Sequence, residues 1–468
     1  MEGIPDNLLE QLRRFGQEHV LRWWPQLSTG ERSQLLQRLQ KLDLPLLDRL
    51  FRVRGRTAAV PSAERIGPIS VIRAGGEDRG ARAAGEAALR RGEVAVLVVA
   101  GGQGSRLGGS IPKGIYPIGP VSGRTLFEIH AAKVLALRRR YGAAVPFLIM
   151  TSEATDAETI DYFDRNQFFG LPADDVWFFR QGTMPALDLE TGKLLMAAPS
   201  LPSTSPNGHG GTLQALVTTG LLDRLRQRGY KQLFYFQVDN PMTRIADPLF
   251  LGHHLAARAD VSIKSVAKEA PTDKLGNIVL VDGRCSIIEY SDLPDALGNE
   301  RDEQGRLKIW AGNTAIHWFA VDFLERLALD RTAIPYHIAR KKVPYLDESG
   351  KLVTPSRENA IKFEMFIFDV LPLAERWTVM ETTRAEEFAP LKNATGADSE
   401  AAVKQAISRQ AADWLGAAGI EVPRSAEGLP SCPLEICPLF ALDREELVRK
   451  VDRNLQVRGP LMLASGAV

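Results

Sequence analysis

The feature that most narrows what this chain can fold into is the run VLVVAGGQGSRLGGSIPK at positions 96–113. Five successive apolar residues, 96–100, suit a strand covered on both faces, because a strand with one wet face would alternate apolar and polar. The run passes directly into Gly101, Gly102 and Gly104, where a backbone free of Cβ atoms turns sharply and its N–H groups converge. Arg106 and Lys113 follow a few residues on, and two cations fixed beside such a turn belong with phosphate oxygens. The segment reads as a cradle for a nucleoside triphosphate at the end of a buried strand.

Two familiar phosphate loops fail on spacing. A dinucleotide fingerprint counted from Gly102 requires glycine at 107 and meets Leu107, and a Walker-type loop counted from Gly109 reaches Gly114 but then shows Ile115 in place of lysine. The pattern that fits, G-G-x-G-[ST]-R-L followed by P-K-G, resembles the signature of nucleotide-sugar pyrophosphorylases, the uridylyltransferases that join a sugar 1-phosphate to UTP.

Around this loop, strands and helices alternate. Thr125 to Glu128 is a capping box opening a helix through Arg140. The segment 146–150 reads as a second buried strand, 156–167 as a helix closed by Gly170, and 176–179 as a third strand. Helix is expected over 213–229, followed by a strand over 233–238 that ends at Asp239. This spacing predicts an α/β protein with a mostly parallel central sheet and ligands at the strand carboxyl ends. Beyond 261 the pattern changes to shorter strands with turns at Asp282-Gly283 and 348–350. A helix is expected near 398–418. Before the loop, 5–55 carries leucines at helical spacing (Leu35, Leu36, Leu39, Leu42, Leu46), and the Pro, Gly and Ala-rich stretch 61–85 reads as a linker. The 468 residues are too many for one ordinary core. They divide into a helical N-terminal subdomain with linker (1–85), a catalytic domain (86–395) and a small C-terminal domain (396–468).

Further blocks extend the resemblance: GQEHVLRWW (16–24), RQGTMPALD (180–188), GHGG (208–211), FQVDNPMTRIADP (236–248), IIEYSDL (287–293), AGNTAIHWF (311–319), IKFEMFIFDVL (361–371) and EEFAPLKNA (386–394). In order and rough spacing they resemble eukaryotic-type UDP-N-acetylhexosamine pyrophosphorylases from about residue 16 to 394. The resemblance implies a Rossmann-like, GT-A-like nucleotidyltransferase sheet, with UTP and a sugar 1-phosphate as substrates and Mg2+ as cofactor. It implies that Arg106 and Lys113 hold the UTP phosphates and that Lys392 serves the sugar phosphate and α-phosphate. Gly101, Gly102, Gly104, Gln181, Gly208 and His209 would bind the nucleotide. Gln181 is the expected reader of the uracil edge, whose acceptor–donor–acceptor pattern a side-chain amide complements. Asp239 would hold magnesium, which takes one or two carboxylates plus phosphate oxygens and waters; by itself it could equally cap the following turn. The sugar pocket would come from Gly276, Glu289, Tyr290, Asn313 and Lys362, with Phe366 and Phe368 at strand spacing, where core packing is an equal reading for either ring. One departure stands out: His209 occupies a position where the N-acetylhexosamine branch often has asparagine and glucose-type enzymes tend to have histidine. UDP-glucose or broader UDP-sugar synthesis is therefore the alternative to UDP-N-acetylglucosamine synthesis. A catalytically dead nucleotide sensor on the same fold is a further alternative, although it would have no use for Lys392.

Charge excludes other partners. Lys and Arg number 58 against 57 Asp and Glu, a net of +1, which is neither a nucleic-acid surface nor an acidic tail. The first residues, MEGIPDNLLEQLRRF, carry charges where a signal peptide needs an apolar stretch, and no long apolar run follows, so a cytoplasmic protein without membrane attachment is expected. A monomer or weak homo-oligomer is expected. Three cysteines, Cys285, Cys432 and Cys437, are too few for a disulfide framework or a zinc site.

Overall fold

A computed structural model describes residues 3–54, 61–109, 111–330 and 334–464. The contacts divide the chain into two compact units. One is assembled from 1–60, 181–212 and 332–369, the other from 61–180, 213–331 and 370–468. These limits cut across the division at 85 and 395 read from the sequence. The N-terminal helices share a core with two later segments of the chain, which linear composition does not reveal.

In the larger unit the strand Val94–Val99 is buried along its whole length, as an uninterrupted apolar run requires. It pairs in parallel with Phe147–Thr151 on one side and Gln232–Gln237 on the other, and Val176–Arg180 extends the parallel set. The sheet then turns antiparallel through Ala311–Ala320 and Asn277–Val281. Helix Leu126–Tyr141 covers the parallel part. Thr125 accepts from the Glu128 N–H while the Glu128 carboxylate accepts from the Thr125 N–H, the capping box expected from the sequence. The hairpin between Asn277–Val281 and Arg284–Ile288 turns at Asp282 and Gly283, both at positive φ.

Three local expectations are corrected. The supposed linker 61–85 contributes the edge strand Ile66–Pro68 to the large sheet, and the helix Arg79–Arg90 begins inside it. The helix expected over 213–229 is two, Gly211–Thr218 and Leu221–Gln227, because Gly220 between them adopts a left-handed conformation that ends the first. Phe366 and Phe368 lie beyond the strand Ala360–Glu364, Phe368 within a 3-10 turn over Ile367–Leu373, so strand spacing does not describe them.

The C-terminal part of this unit has its own apolar cluster. Helix Glu400–Ala417 packs Ala411, Trp414 and Leu415 against Leu434 and Leu447. All three cysteines are free thiols. In the smaller unit, helices Asp6–Arg14, Thr29–Gln40 and Leu44–Arg52 bury Leu12, Leu35, Leu39 and Leu47 together with Met184, Leu187, Ile361 and Phe363. Trp23 and Trp24 of the RWW block are part of that core. Among the described residues no helix is long and apolar enough to cross a membrane.

Candidate active site

In the larger unit two adjacent parallel strands deliver the first set of candidate residues. Gln237 pairs with Val99, so two residues beyond that pair the strands present Asp239 and Gly101. The glycine loop closes on itself: the Gly104 N–H donates to the Ile111 carbonyl (3.0 Å) and the Lys113 N–H to the Gly102 carbonyl (3.0 Å). Gly104 therefore shapes the loop with its N–H already committed. The N–H groups of Gly101 and Gly102 make no backbone hydrogen bond among the described residues. Arg106 is exposed on the short 3-10 turn that follows.

Closure of the loop sets Lys113 beside the neighbouring strand end. Its Nζ donates to the Asp239 carboxylate (3.3 Å) and to the Leu391 carbonyl (3.2 Å), with both side chains mostly buried. The Leu391 N–H in turn donates to the Asp239 carbonyl (2.8 Å), and the Lys392 N–H to the Asp398 carbonyl (2.8 Å). Lys113, Asp239 and the peptide preceding Lys392, separated by up to 278 residues in sequence, thus form one bonded cluster. The Asp239 carboxylate alone could ligate a cation shared with phosphate oxygens, while the Lys113 ammonium, itself a cation, could meet only the phosphates. No group of three or more His, Cys, Asp or Glu side chains able to hold a metal by themselves occurs among the described residues.

A second cluster lies on the antiparallel side of the same unit. The Asn313 N–H donates to the Gly276 carbonyl (2.8 Å), and a Cβ placed on Gly276 would stand 3.5 Å from Glu289 Oε1 and 3.8 Å from Asn313 Cβ. Asn313 Oδ1 accepts from the Ala315 N–H (3.0 Å), which orients its amide. Tyr290 is adjacent in sequence and 44% exposed.

The remaining candidates belong to the smaller unit. Gln181 is buried at 9% exposure, and the nearby GHGG loop lies against the backbone of Met365. The Gly210 N–H donates to the Met365 carbonyl (2.8 Å), and the Met365 N–H to the Asn207 carbonyl (2.7 Å). Gly208 has φ +84°, and a Cβ there would fall 2.4 Å from the Met365 carbonyl oxygen, so glycine is required both by conformation and by space. His209 Nδ1 accepts from the Ile367 N–H (3.2 Å), which puts the proton of the neutral ring on Nε2. Burial, assisted by the charge of His337, pushes His209 down to about 4, so the ring is neutral at pH 7. Phe366 and Phe368 stack on each other with ring centroids 5.1 Å apart, and both rings neighbour His209 at 5.4 and 5.8 Å. His337 lies 4.5 Å from Phe366 and shares a 2.7 Å contact with the Asp369 carboxylate. Lys362 is on the adjoining strand Ala360–Glu364, opposite Ala339.

Residues 60–399 match the sequence profile of the family described as UTP–glucose-1-phosphate uridylyltransferase. The chain belongs to this uridylyltransferase family. The Arabidopsis thaliana protein named UDP-N-acetylglucosamine diphosphorylase 2 is 36% identical over 91% of this chain and 89% of its own length. The Saccharomyces cerevisiae UDP-N-acetylglucosamine pyrophosphorylase is 39% identical over 71% of this chain and 72% of its own. Among solved structures, the uridine diphosphate N-acetylglucosamine pyrophosphorylase of Trypanosoma brucei, crystallised with an inhibitor, superposes with a TM-score of 0.82 at 26% identity over 98% of each chain. Membership carries the reaction class: transfer of a uridylyl group between UTP and a sugar 1-phosphate.

Several polar residues that brace the uridylyltransferase clusters escaped sequence reasoning. Lys264, on the strand Val261–Ala267, is 1% exposed and donates to Asp247 (2.8 Å) and Glu387 (2.5 Å). Burial alone would raise the Asp247 carboxyl, but the charges of Lys264 and Arg244 outweigh it and hold the group well below the usual carboxylate range. Lys268 donates to Asn277 Oδ1 (2.7 Å), next to Gly276. Asn240, Asn207 and His337 were also passed over. The available signal was a lysine inside the strand run VSIKSVA, where a charge must be paired if the strand is buried.

Proposed function

We propose that this uridylyltransferase makes UDP-N-acetylglucosamine and pyrophosphate from UTP and N-acetylglucosamine 1-phosphate. The observation that carries the reading is Lys113, bonded to the Asp239 carboxylate and to the peptide before Lys392 at the mouth of the parallel strands. A phosphate oxygen of the sugar 1-phosphate attacks the α-phosphorus of UTP; the new O–P bond forms as the bridge to the β-phosphorus breaks, and pyrophosphate leaves with that electron pair. No protein nucleophile is needed, so catalysis rests on placement and on neutralising charge that spreads over the phosphoryl oxygens. Lys113 and Arg106 supply cations on the loop side, Lys392 on the sugar-phosphate side, and the Gly101 and Gly102 N–H groups point donors at the nucleotide. Asp239 would hold Mg2+, which when bound offsets negative charge on the triphosphate. Gln181 is assigned to the uracil edge, Glu289 and Asn313 to the sugar hydroxyls and acetamido group, and Gly276, where a Cβ would meet the Ile287 side chain at 2.7 Å, lets the chain pack closely beside them.

The acetamido sugar is favoured over glucose because the relatives that span most of the chain carry N-acetylglucosamine names. His209 favours the second reading, glucose 1-phosphate, since its ring stands where the N-acetylhexosamine branch often has the smaller asparagine amide and glucose-type enzymes tend to have histidine. Pyrophosphate release measured across a panel of sugar 1-phosphates tests the assignment. A tenfold or greater kcat/KM advantage for N-acetylglucosamine 1-phosphate is expected, on the order of the discrimination a hydrogen-bonding site delivers. An equal preference for glucose 1-phosphate moves the chain to the second reading. The same reading has the enzyme in the cytoplasm, which fractionation of cells checks, as a monomer or weak homo-oligomer, which sedimentation of the purified chain checks.

A further inference from the structure

Asn240 follows Asp239 directly and is 3% exposed. Its side chain behaves as an additional peptide group. Nδ2 donates to the Glu387 carbonyl (2.7 Å), while Oδ1 accepts from the Ala389 N–H (3.2 Å) and the Met242 N–H (3.3 Å). The Asp239 carbonyl takes the next bond in the series, from the Leu391 N–H at 2.8 Å. Residues 387–391 are therefore laced onto 239–240 over a stretch too short and irregular to count as a strand. Lys392 is the first residue beyond the lacing, and its own N–H is tied to Asp398.

The far end of the laced segment is also anchored. The Glu387 carboxylate is fully buried and accepts from Lys264 (2.5 Å), from the Arg244 N–H (3.0 Å) and from Thr382 Oγ1 (3.1 Å). Lys264 reaches it from the strand paired in parallel with Trp377–Thr382, so the anchor is part of the sheet. The Asn240 amide is the only side chain that bonds the segment between its anchor at Glu387 and the Lys113 contact at Leu391, counting the described residues.

We propose that Asn240 is a positioning residue for Lys392: its amide sets the register of 387–391 against the end of the strand carrying Asp239, and so fixes where Lys392 enters the reaction. The proposal rests on the reading of Lys392 as the lysine that meets the sugar phosphate. An alanine in place of Asn240 frees the Glu387 carbonyl and the Ala389 N–H and lets the segment shift, and a displacement of about 1 Å in a catalytic group costs on the order of 100-fold in rate.

A double-mutant cycle on the full-length enzyme tests this, with kcat and KM from pyrophosphate release and UTP affinity from calorimetry in the presence of Mg2+. Asn240→Ala should lower kcat on the order of 100-fold while UTP affinity stays within about threefold, because the lost contacts matter at the transition state. In a Lys392→Ala background the same change should cost less than about threefold, the non-additivity expected of two residues acting as one unit. Asn240→Ser, which introduces no charge and keeps a hydroxyl able to meet one of the two partners, should retain more activity than Asn240→Ala and covers the case in which the alanine variant does not fold. Multiplicative losses in the double variant, or a fall in UTP affinity matching the fall in kcat, would overturn the proposal, as would a Lys392→Ala enzyme of normal rate. A wild-type enzyme that releases no pyrophosphate from any sugar 1-phosphate would instead sink the functional reading beneath it.

Discussion

The glycine-loop cluster of the larger unit and the GHGG cluster of the smaller one are built on opposite physical terms. Around Lys113 and Asp239 the contacts are charged or peptide-to-peptide, and each side chain is held by partners far away in sequence. Around His209 they are aromatic: stacked phenylalanines beside a histidine kept neutral by burial. The first arrangement suits charge that develops during a reaction, since prearranged ions in a partly dry site need no reorganisation. The second discriminates by shape and by one oriented donor. Disturbing the first should therefore change rate, and disturbing the second should change substrate preference.

The sharpest break of that contrast is Asp239→Asn. The amide preserves shape and removes the charge that faces Lys113, so turnover should fall to that of wild type treated with EDTA across a magnesium titration. Normal magnesium-dependent turnover in this variant would leave Asp239 a structural residue. Next in size is Lys113→Ala, for which kcat should fall about 100- to 1,000-fold, the loss typical of one prearranged donor to developing charge. Its circular dichroism should match wild type, because Lys113 is on a short 3-10 turn outside the apolar cores and the change removes only its bonds to Asp239 and Leu391; activity within threefold of wild type contradicts the assignment.

A smaller effect of a different kind is expected in the aromatic cluster. His209→Asn should shift the ratio of kcat/KM for N-acetylglucosamine 1-phosphate over glucose 1-phosphate by on the order of tenfold toward the acetamido sugar, with little change in the maximal rate. A rate loss without a change in preference would erase the distinction between the clusters. The last effect is on stability and leaves rate and preference alone. His209, His130 and His254 are held neutral by burial, with pKa values lowered from 6.5 to about 4, 3 and 3. The unfolded chain takes up these protons below pH 6.5 and the folded chain does not, so acid favours unfolding. Each histidine should weaken folding by up to about 1.4 kcal/mol per pH unit between pH 6.5 and its folded pKa. Urea unfolding at pH 7 and pH 5 measures it; His209→Asn should show a shallower loss than wild type, and an identical pH slope would contradict a ring kept neutral in the fold.

Local signals carried well where a short stretch contains its own physics. The capping box at Thr125 and Glu128, the hairpin turn at Asp282 and Gly283, and the buried strand before Gly101 each depend on residues within a few positions of one another. Boundaries failed where a distant partner decided them. The stretch 61–85 looks like a linker by composition, yet Ile66 to Pro68 becomes a strand because Val279 to Val281 offers an edge to pair with. Phe366 and Phe368 alternate as strand residues do, but the chain leaves the sheet at Glu364.

The candidate site divides along the same line. Lys113 and Asp239, which the structure brings together, could be singled out in the sequence because a phosphate loop and a strand-end carboxylate are chemically specific over a handful of residues, and the order of the matching blocks carried the uridylyltransferase reading. Lys264, Glu387 and Asn240 were not legible. A buried charge or amide announces itself only through its partner, and here the partners lie up to 149 positions away. Chain identity thus determined which chemistry the protein has at hand. Tertiary structure alone decided which carbonyl each N–H meets, and so where Lys392 is held, because hydrogen-bond energy depends on distances of a few tenths of an ångström that no linear pattern encodes.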